Sequence, residues 1–81
     1  MNPVDEERLL RAWAEVMQSG PVGLDDDFVE FGGDSLVAMT LISRIAGDFG
    51  VELDVWQLLD AGTPRNVLAT IAEVREAPRS S

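Results

Sequence analysis

Apolar residues recur every three or four positions in three long segments of the chain, and this spacing predicts amphipathic helices over residues 3–18, 35–49 and 64–76. A glycine follows the second segment, and a Thr-Pro pair suits the start of the last. A shorter helix of one or two turns is predicted at 55–60. No segment alternates as a strand does. The pattern therefore predicts an all-α fold, a small bundle of three longer helices and one short helix.

Helical spacing also divides the second helix into an inward and an outward face. The inward face is predicted to contain Leu36, Met39, Ile42, Ala46 and Phe49, widened by Ala38, Leu41 and Ile45. Val37 instead falls on the line of three polar positions. These are Thr40, Arg44 and Asp48. We therefore expect Val37 to be an exposed valine, with Leu36 partly exposed beside it.

The connection between the first two helices, residues 20–34, is about fifteen residues long, which is unusual in a compact domain. Its apolar residues are Val22, Leu24, Phe28, Val29 and Phe31. These side chains are numerous enough to hold the connection against a core. We expect an ordered loop, with Phe28 and Phe31 substantially buried near the start of the second helix.

The length of 81 residues allows one small domain, which we place at 1–76, followed by a flexible tail at 77–81. The formal net charge is −9, from 15 acidic and 6 basic residues. Such a chain repels phosphate backbones, which argues against nucleic acid and favours partners with basic surfaces. No apolar stretch is long enough to span a membrane, and the N-terminus lacks a signal for export. A cytoplasmic protein is expected.

Several side chains that carry enzyme chemistry are missing. The chain has no histidine, no cysteine and no lysine, which excludes Ser–His, thiolate and Schiff-base nucleophiles and cysteine–histidine zinc sites. Carboxylates alone serve in glycosidases, but a helical domain of this size offers little cleft for a sugar. The acidic run 25–27 does not start a calcium loop, because Val29 and Glu30 stand where a ligand and a glycine are needed. Neither catalysis nor a metal site is expected.

The run Gly32-Gly33-Asp34-Ser35 stands directly before the second helix. Either Asp34 or Ser35 can cap this helix. If Asp34 is the cap, the Ser35 hydroxyl points outward at the positive end of the helix, where an attached phosphate would be stabilised. The glycine pair either forms a tight turn or leaves the backbone open to another molecule. Ser35 is not in a nucleophile elbow, since Val37 occupies the position of its second glycine.

The sequence resembles the carrier-protein family, the acyl and peptidyl carriers of fatty acid, polyketide and nonribosomal peptide synthesis. The resemblance covers residues 9–71 and is carried by DDFVEFGGDSLVAMTLISRI and FGVELDVWQLLDAGTPRNVLATI. It implies that a phosphopantetheinyl transferase moves 4′-phosphopantetheine from coenzyme A onto Ser35, beside Gly32, Gly33 and Asp34. The thiol of this arm then holds the cargo as a thioester. A chain without cysteine needs such an imported thiol.

Gly33 before Asp-Ser resembles the peptidyl carriers (thiolation domains) of nonribosomal peptide synthetases, which make antibiotics and related products. The resemblance implies a non-catalytic monomer that meets an adenylating or other loading enzyme and then downstream synthetase or tailoring enzymes. The expected contact residues are Leu36, Val37, Thr40 and Arg44. Two alternatives stay open. One is a polyketide- or fatty-acid-type acyl carrier, which the net charge favours, and the other is an unmodified acidic interaction module in which Ser35 is only a cap.

Overall fold

The computed structural model of the chain describes residues 3–30 and 32–76. Within these ranges it contains four helices and no strand. They are α1 (Pro3–Met17), α2 (Ser35–Phe49), α3 (Val55–Ala61) and α4 (Pro64–Glu76). The predicted all-α bundle with one short helix is therefore confirmed. Residues 77–81, where a flexible tail is predicted, lie outside the described residues.

The helix ends follow local capping chemistry. Gly50, with φ 68°, ends α2, and its N–H donates to the Ala46 carbonyl over 3.0 Å. Asp54 begins α3 with a capping box, in which its carboxylate accepts from the Gln57 N–H and its own N–H donates to the Gln57 side chain. Gly62 ends α3 and leads directly into α4. These caps set the positions at which the chain turns.

The helices bury one shared core. α1 packs against α2 and α4, and α3 packs against the same two helices. The largest fully buried side chains are Trp13, Phe28, Leu9, Leu41, Ile45, Leu58, Ile71, Val67 and Pro64. Phe28 comes from the connection and not from a helix, so the long loop contributes directly to the core. No helix in the described part of the chain has the length and apolar character needed to cross a membrane.

The orientation of α2 differs from the predicted one. Its buried side chains are Ala38, Leu41, Ile45 and Phe49. Met39, expected inside, is 58% exposed, and Leu36, expected to be partly exposed, is 73% exposed. Val37, expected outside, is half-buried against the core. Apolar residues occupy every direction around the first turn of α2, so spacing alone did not orient it. The prediction of an exposed Val37 is wrong.

The connection 20–34 is held mainly by the junction between α3 and α4. The Phe28 N–H donates to the Gly62 carbonyl over 2.6 Å, and the Arg65 N–H donates to the Leu24 carbonyl over 2.9 Å. The Arg65 guanidinium also pairs with Asp25 at 2.8 Å. The prediction that Phe28 is buried is confirmed, while Phe31 lies outside the described residues.

Candidate functional site

Asp34 is the residue that caps α2. Its backbone is extended, with φ −128° and ψ −173°, and its Oδ1 accepts a hydrogen bond from the Val37 N–H over 2.9 Å. Its carbonyl accepts the first intrahelical bond, from the Ala38 N–H, over 2.8 Å. One of the free donors at the helix start is thereby satisfied without Ser35. Of the two capping residues considered from the sequence, the structure selects Asp34.

Ser35 is the first residue of α2, and its side chain is exposed. Within residues 3–30 and 32–76 its hydroxyl has no hydrogen-bond partner. The hydroxyl therefore stands at the positive end of a helix of 15 residues, where a phosphate group would be stabilised by the helix dipole and the remaining backbone N–H groups.

The two glycines before Asp34 are required for different reasons. Gly32 has φ 87°, a left-handed conformation that other residues adopt only with strain, and the space where its side chain would lie is open. A Cβ atom on Gly33 would lie 2.5 Å from Phe28 Cζ and 2.6 Å from Cδ2. Gly33 thus admits an aromatic ring of the core, and Gly32 is the glycine that faces open space.

Phe28 is fixed from several sides. Its ring meets Trp13 of α1 edge to face, with centroids 5.7 Å apart and planes at 89°. Its carbonyl accepts from the Gly33 N–H over 3.0 Å, and its N–H is bound to Gly62. The turn that leads to Ser35 is therefore tied to both α1 and the end of α3.

The residues around Ser35 combine an apolar surface with paired charges. Leu36 and Met39 expose apolar side chains, and the Thr40 hydroxyl donates to the Leu36 carbonyl over 3.1 Å. Arg44 pairs with Glu15 of α1 at 2.6 Å and with Asp48 at 3.2 Å. The Glu15 carboxylate in particular raises the pKa of Arg44 above its ordinary value. Of the predicted contact residues, Leu36 and Thr40 are exposed, Arg44 is partly exposed and paired, and Val37 is half-buried.

The acidic run in the connection serves the loop itself. Asp26 accepts a hydrogen bond from the Gly23 N–H over 2.7 Å, and Asp27 accepts from the Val29 N–H over 2.9 Å. The described residues contain no group of three or more histidine, cysteine, aspartate or glutamate side chains placed to hold a metal ion. These carboxylates are structural parts of the turns that carry Phe28.

An exposed tryptophan was not singled out from the sequence. Trp56, in the first turn of α3, is 78% exposed, although Trp13 in α1 is fully buried. Its neighbours Asp54 and Gln57 are polar and close the capping box. That polarity is the one sequence signal that distinguishes Trp56 from a core residue.

Comparisons with known proteins give a consistent result. Residues 7–71 match the family model described as "Phosphopantetheine attachment site". A plipastatin synthase subunit from Bacillus subtilis (strain 168) is 36% identical over 75 residues, which cover 93% of this chain and 3% of that protein. The chain therefore spans a small fraction of this curated relative.

Two solved structures share the fold. BlmI, a type-II acyl-carrier-protein from Streptomyces verticillus involved in bleomycin biosynthesis, has a TM-score of 0.80 and 26% identity, covering 85% of this chain and 83% of that one. An extended docking domain complex of the Pax NRPS has a TM-score of 0.82 and 28% identity, covering 94% and 73% of the respective chains.

Proposed function

The chain belongs to the phosphopantetheine-attachment family of carrier domains, and on that premise we propose that Ser35 is the residue that carries the arm. The observation that supports this most directly is that Asp34 caps α2 and Ser35 takes no part in the cap. Asp34 satisfies the helix start, and the Ser35 hydroxyl stays exposed and free of partners in the described part of the chain. The hydroxyl is available to a transferase without loss of a bond that α2 needs.

Modification at Ser35 requires only that its hydroxyl act as the accepting group. The Ser35 Oγ forms a bond to the pantetheine-bearing phosphorus of coenzyme A, the P–O bond to the nucleotide half breaks, and the nucleotide leaves with the electron pair. The hydroxyl proton goes to a base of the transferase. Within this chain, Asp34 holds the helix start and Gly32 leaves open space beside it. The attached arm supplies the thiol that the sequence lacks.

The carrier role follows from family membership, because carrier domains of synthetases hold their cargo and do not transform it. We place this chain among the peptidyl carriers of nonribosomal peptide synthesis, supported by its 36% identity to a plipastatin synthase subunit. Its partners would be a phosphopantetheinyl transferase, an adenylating or other loading enzyme, and downstream synthetase or tailoring enzymes. A cytoplasmic location and a monomeric state stay predictions.

An acyl carrier of the polyketide or fatty-acid type is the second candidate. The likeness to BlmI, a type-II acyl-carrier-protein, favours it, as does the net charge of −9. The two candidates differ in the enzyme that loads the arm. Transfer of an aminoacyl group from an adenylating enzyme supports the peptidyl type, and transfer of a malonyl group from an acyltransferase supports the acyl type.

The partner surface is proposed to surround Ser35. Leu36 supplies exposed apolar area immediately beside it, and Thr40 and Arg44 continue the same side of α2. Val37 supports this surface indirectly, because it packs against the core beneath it and holds the first turn of α2 in place. A small contact of this kind suits a carrier that must leave each partner.

The test of attachment is the intact mass of the protein after incubation with coenzyme A and a broad-specificity phosphopantetheinyl transferase. We expect a gain of one phosphopantetheine in the parent and no gain in Ser35→Ala. Ser43→Ala, which removes another exposed hydroxyl of the same helix, is the matched control and should be modified as the parent is. Modification of Ser35→Ala would overturn the assignment, and an unmodified parent would favour the acidic interaction module.

A further inference from the structure

Three of the six basic residues of the chain meet in one groove between α1 and the C-terminal half of α2. The groove has a volume of about 290 Å³ and is lined by Val4, Glu7, Arg8, Arg11, Arg44 and Asp48. Three guanidinium groups against two carboxylates leave its lining with an excess of one positive charge. Since the whole chain carries a net charge of −9, this arginine groove is opposite in sign to the molecule as a whole.

We propose that the arginine groove binds an acidic segment of a partner protein, whose carboxylates are spaced along that segment. The inference goes beyond the attachment at Ser35 and does not depend on it. It assigns the chain a second contact, separate from the apolar one beside the serine, and gives this contact a preference for negative charge.

Arg8 and Arg11 carry positive charge that the fold leaves uncompensated. Both are exposed, and their spacing of three positions on α1 places their side chains next to each other. The Arg8 guanidinium donates to the Asp48 carbonyl over 3.2 Å, which holds it at the C-terminal end of α2. In the described part of the chain neither arginine forms an ion pair. Both can therefore donate hydrogen bonds to the carboxylates of another molecule.

Arg44 contributes through a contact that a partner can exchange. Its guanidinium pairs with Glu15 of α1 at 2.6 Å and with Asp48 at 3.2 Å. The side chains of Arg44 and Glu15 are 38% and 51% exposed, so their pair is open to solvent and contributes little to stability. A carboxylate of a partner can therefore replace that of Glu15 at small cost. Glu15 competes with the partner for the same guanidinium.

The mixed charge of the lining favours a protein segment over a compact anion such as phosphate. Glu7 and Asp48 lie among the arginines, and their carboxylates repel an ion that concentrates its charge in one place. A segment with separate carboxylates can place each of them at an arginine and keep them away from the two acids. The volume of the groove is also just below the roughly 300–1,000 Å³ of small-molecule pockets.

The position of the arginine groove relative to Ser35 makes this contact able to orient a partner. Asp48 lies thirteen positions after Ser35, or roughly 20 Å along α2 at the rise of an α-helix. The connection 20–34, which leads to Ser35, contains five acidic residues and no basic one. A partner with basic groups at the connection and an acidic segment at the arginine groove meets complementary charge at both places. The reverse orientation brings like charges together at both and is disfavoured.

The first measurement is an NMR titration of the unmodified protein with a synthetic hexaglutamate peptide. It is made at about 0.15 M salt, where a Debye length of about 8 Å limits repulsion from distant acidic residues. We expect saturable shift changes at the N–H signals of Arg8, Arg11 and Arg44, and their loss at about 1 M salt. An absence of saturable changes, changes centred elsewhere, or changes that persist at high salt would each overturn the inference.

Two matched pairs of variants separate the arginine groove from the overall charge. Arg11→Glu should weaken binding of the peptide by about fivefold or more, because it removes an attraction and adds a repulsion. Arg65→Glu changes the net charge equally but lies outside the groove, and should have little effect. Glu15→Gln releases Arg44 and should strengthen binding, whereas Glu73→Gln, an exposed position of α4, should not. Equal effects within either pair would contradict the proposal.

Inorganic pyrophosphate distinguishes a protein segment from a small anion. At an equal concentration of negative charge we expect it to produce smaller shift changes at the three arginines than the peptide does. Larger changes with pyrophosphate would make the groove a small-anion site and overturn the proposal. If Arg11→Glu does not fold, the titration of the parent and the Glu15 pair of variants still decide. A parent that binds the peptide but gains no mass with the transferase refutes only the attachment at Ser35.

Discussion

The ring of Phe28 occupies the space that any side chain at position 33 would need. A Cβ atom on Gly33 would lie 2.5 Å from the ring's Cζ, closer than real Cβ contacts allow. The same ring packs on Trp13 of α1, so it has little freedom to withdraw. The glycine directly before the capping residue is therefore a requirement of the core.

Substituting Gly33→Ala should destabilise the fold by about 1–3 kcal/mol, the usual cost of overpacking a tight site. Gly47→Ala is the control, because its Cβ meets nothing within 4 Å and alanine is the better helix former. Urea unfolding monitored by circular dichroism measures both. A Gly33→Ala protein as stable as the parent would mean that the ring moves aside at no cost.

Removing the ring that anchors the loop should have a larger effect. Phe28→Ala leaves a cavity in the core and should cost about 3–5 kcal/mol, a large share of the stability of a small domain. Val29→Ala, at a neighbouring loop position that is 60% exposed, should change stability by less than about 0.5 kcal/mol. Thermal unfolding compares the two. Similar melting temperatures for both variants would contradict the anchoring role of Phe28.

The capping role of Asp34 can be separated from the modification of Ser35. Asp34→Ala should lower the free energy of unfolding by about 1 kcal/mol, because the Val37 N–H loses its acceptor. Asp34→Asn should keep most of this stability, since asparagine caps equally well. Ser35→Ala should unfold like the parent and yet gain no arm. A marked loss of stability in Ser35→Ala would show that its hydroxyl does support the helix.

The observed orientation of α2 turns Val37 toward the core and leaves Leu36 as the exposed apolar residue beside Ser35. Leu36→Asp should leave the melting temperature nearly unchanged and slow modification by the transferase, because Leu36 is 73% exposed beside Ser35. Val37→Asp should lower the melting temperature, because it places a charge against the core. Initial rates of mass gain and thermal unfolding distinguish them. Unchanged rates in Leu36→Asp would move the partner surface away from this turn.

The pair between Asp25 and Arg65 should make a small part of the stability pH-dependent. The hydrogen bond from Arg65 lowers the pKa of the Asp25 carboxyl below its ordinary value of 3.8 in the folded chain. The stabilisation of the fold by this pair is therefore fully present above the ordinary pKa of 3.8 and is lost as the pH falls through the lower pKa of the folded chain. NMR titration of the Asp25 carboxyl should show its pKa rising toward the ordinary value in Arg65→Gln. An unaltered titration in that variant would mean that the pair does not hold in solution.

The sequence was sufficient for the helices and for both ends of α2, because these depend on neighbours a few residues apart, but it left the choice between Asp34 and Ser35 as the cap to the structure. The start of α2 at Ser35 and its end before Gly50 are as predicted. Which side of α2 turns toward the core was not predictable from the sequence. Leu36, Val37 and Met39 are all apolar, and their burial depends on where α1 and the loop lie. The reason for Gly33 likewise depends on a ring five positions earlier in the chain. Such contacts are set by the tertiary fold.

The attachment of the loop to the α3–α4 junction has a consequence for exchanging parts between carriers. Residues 20–34 precede α2 in the chain, yet Leu24 and Phe28 are bonded to Arg65 and Gly62. A graft that replaces the loop and α2 together would separate hydrogen-bond partners that lie about forty positions apart. A chimera should therefore keep the Asp25–Arg65 side-chain pair as well as the backbone bonds only if residues 62–65 come from the donor of the loop. The unit that can be transplanted is discontinuous in sequence.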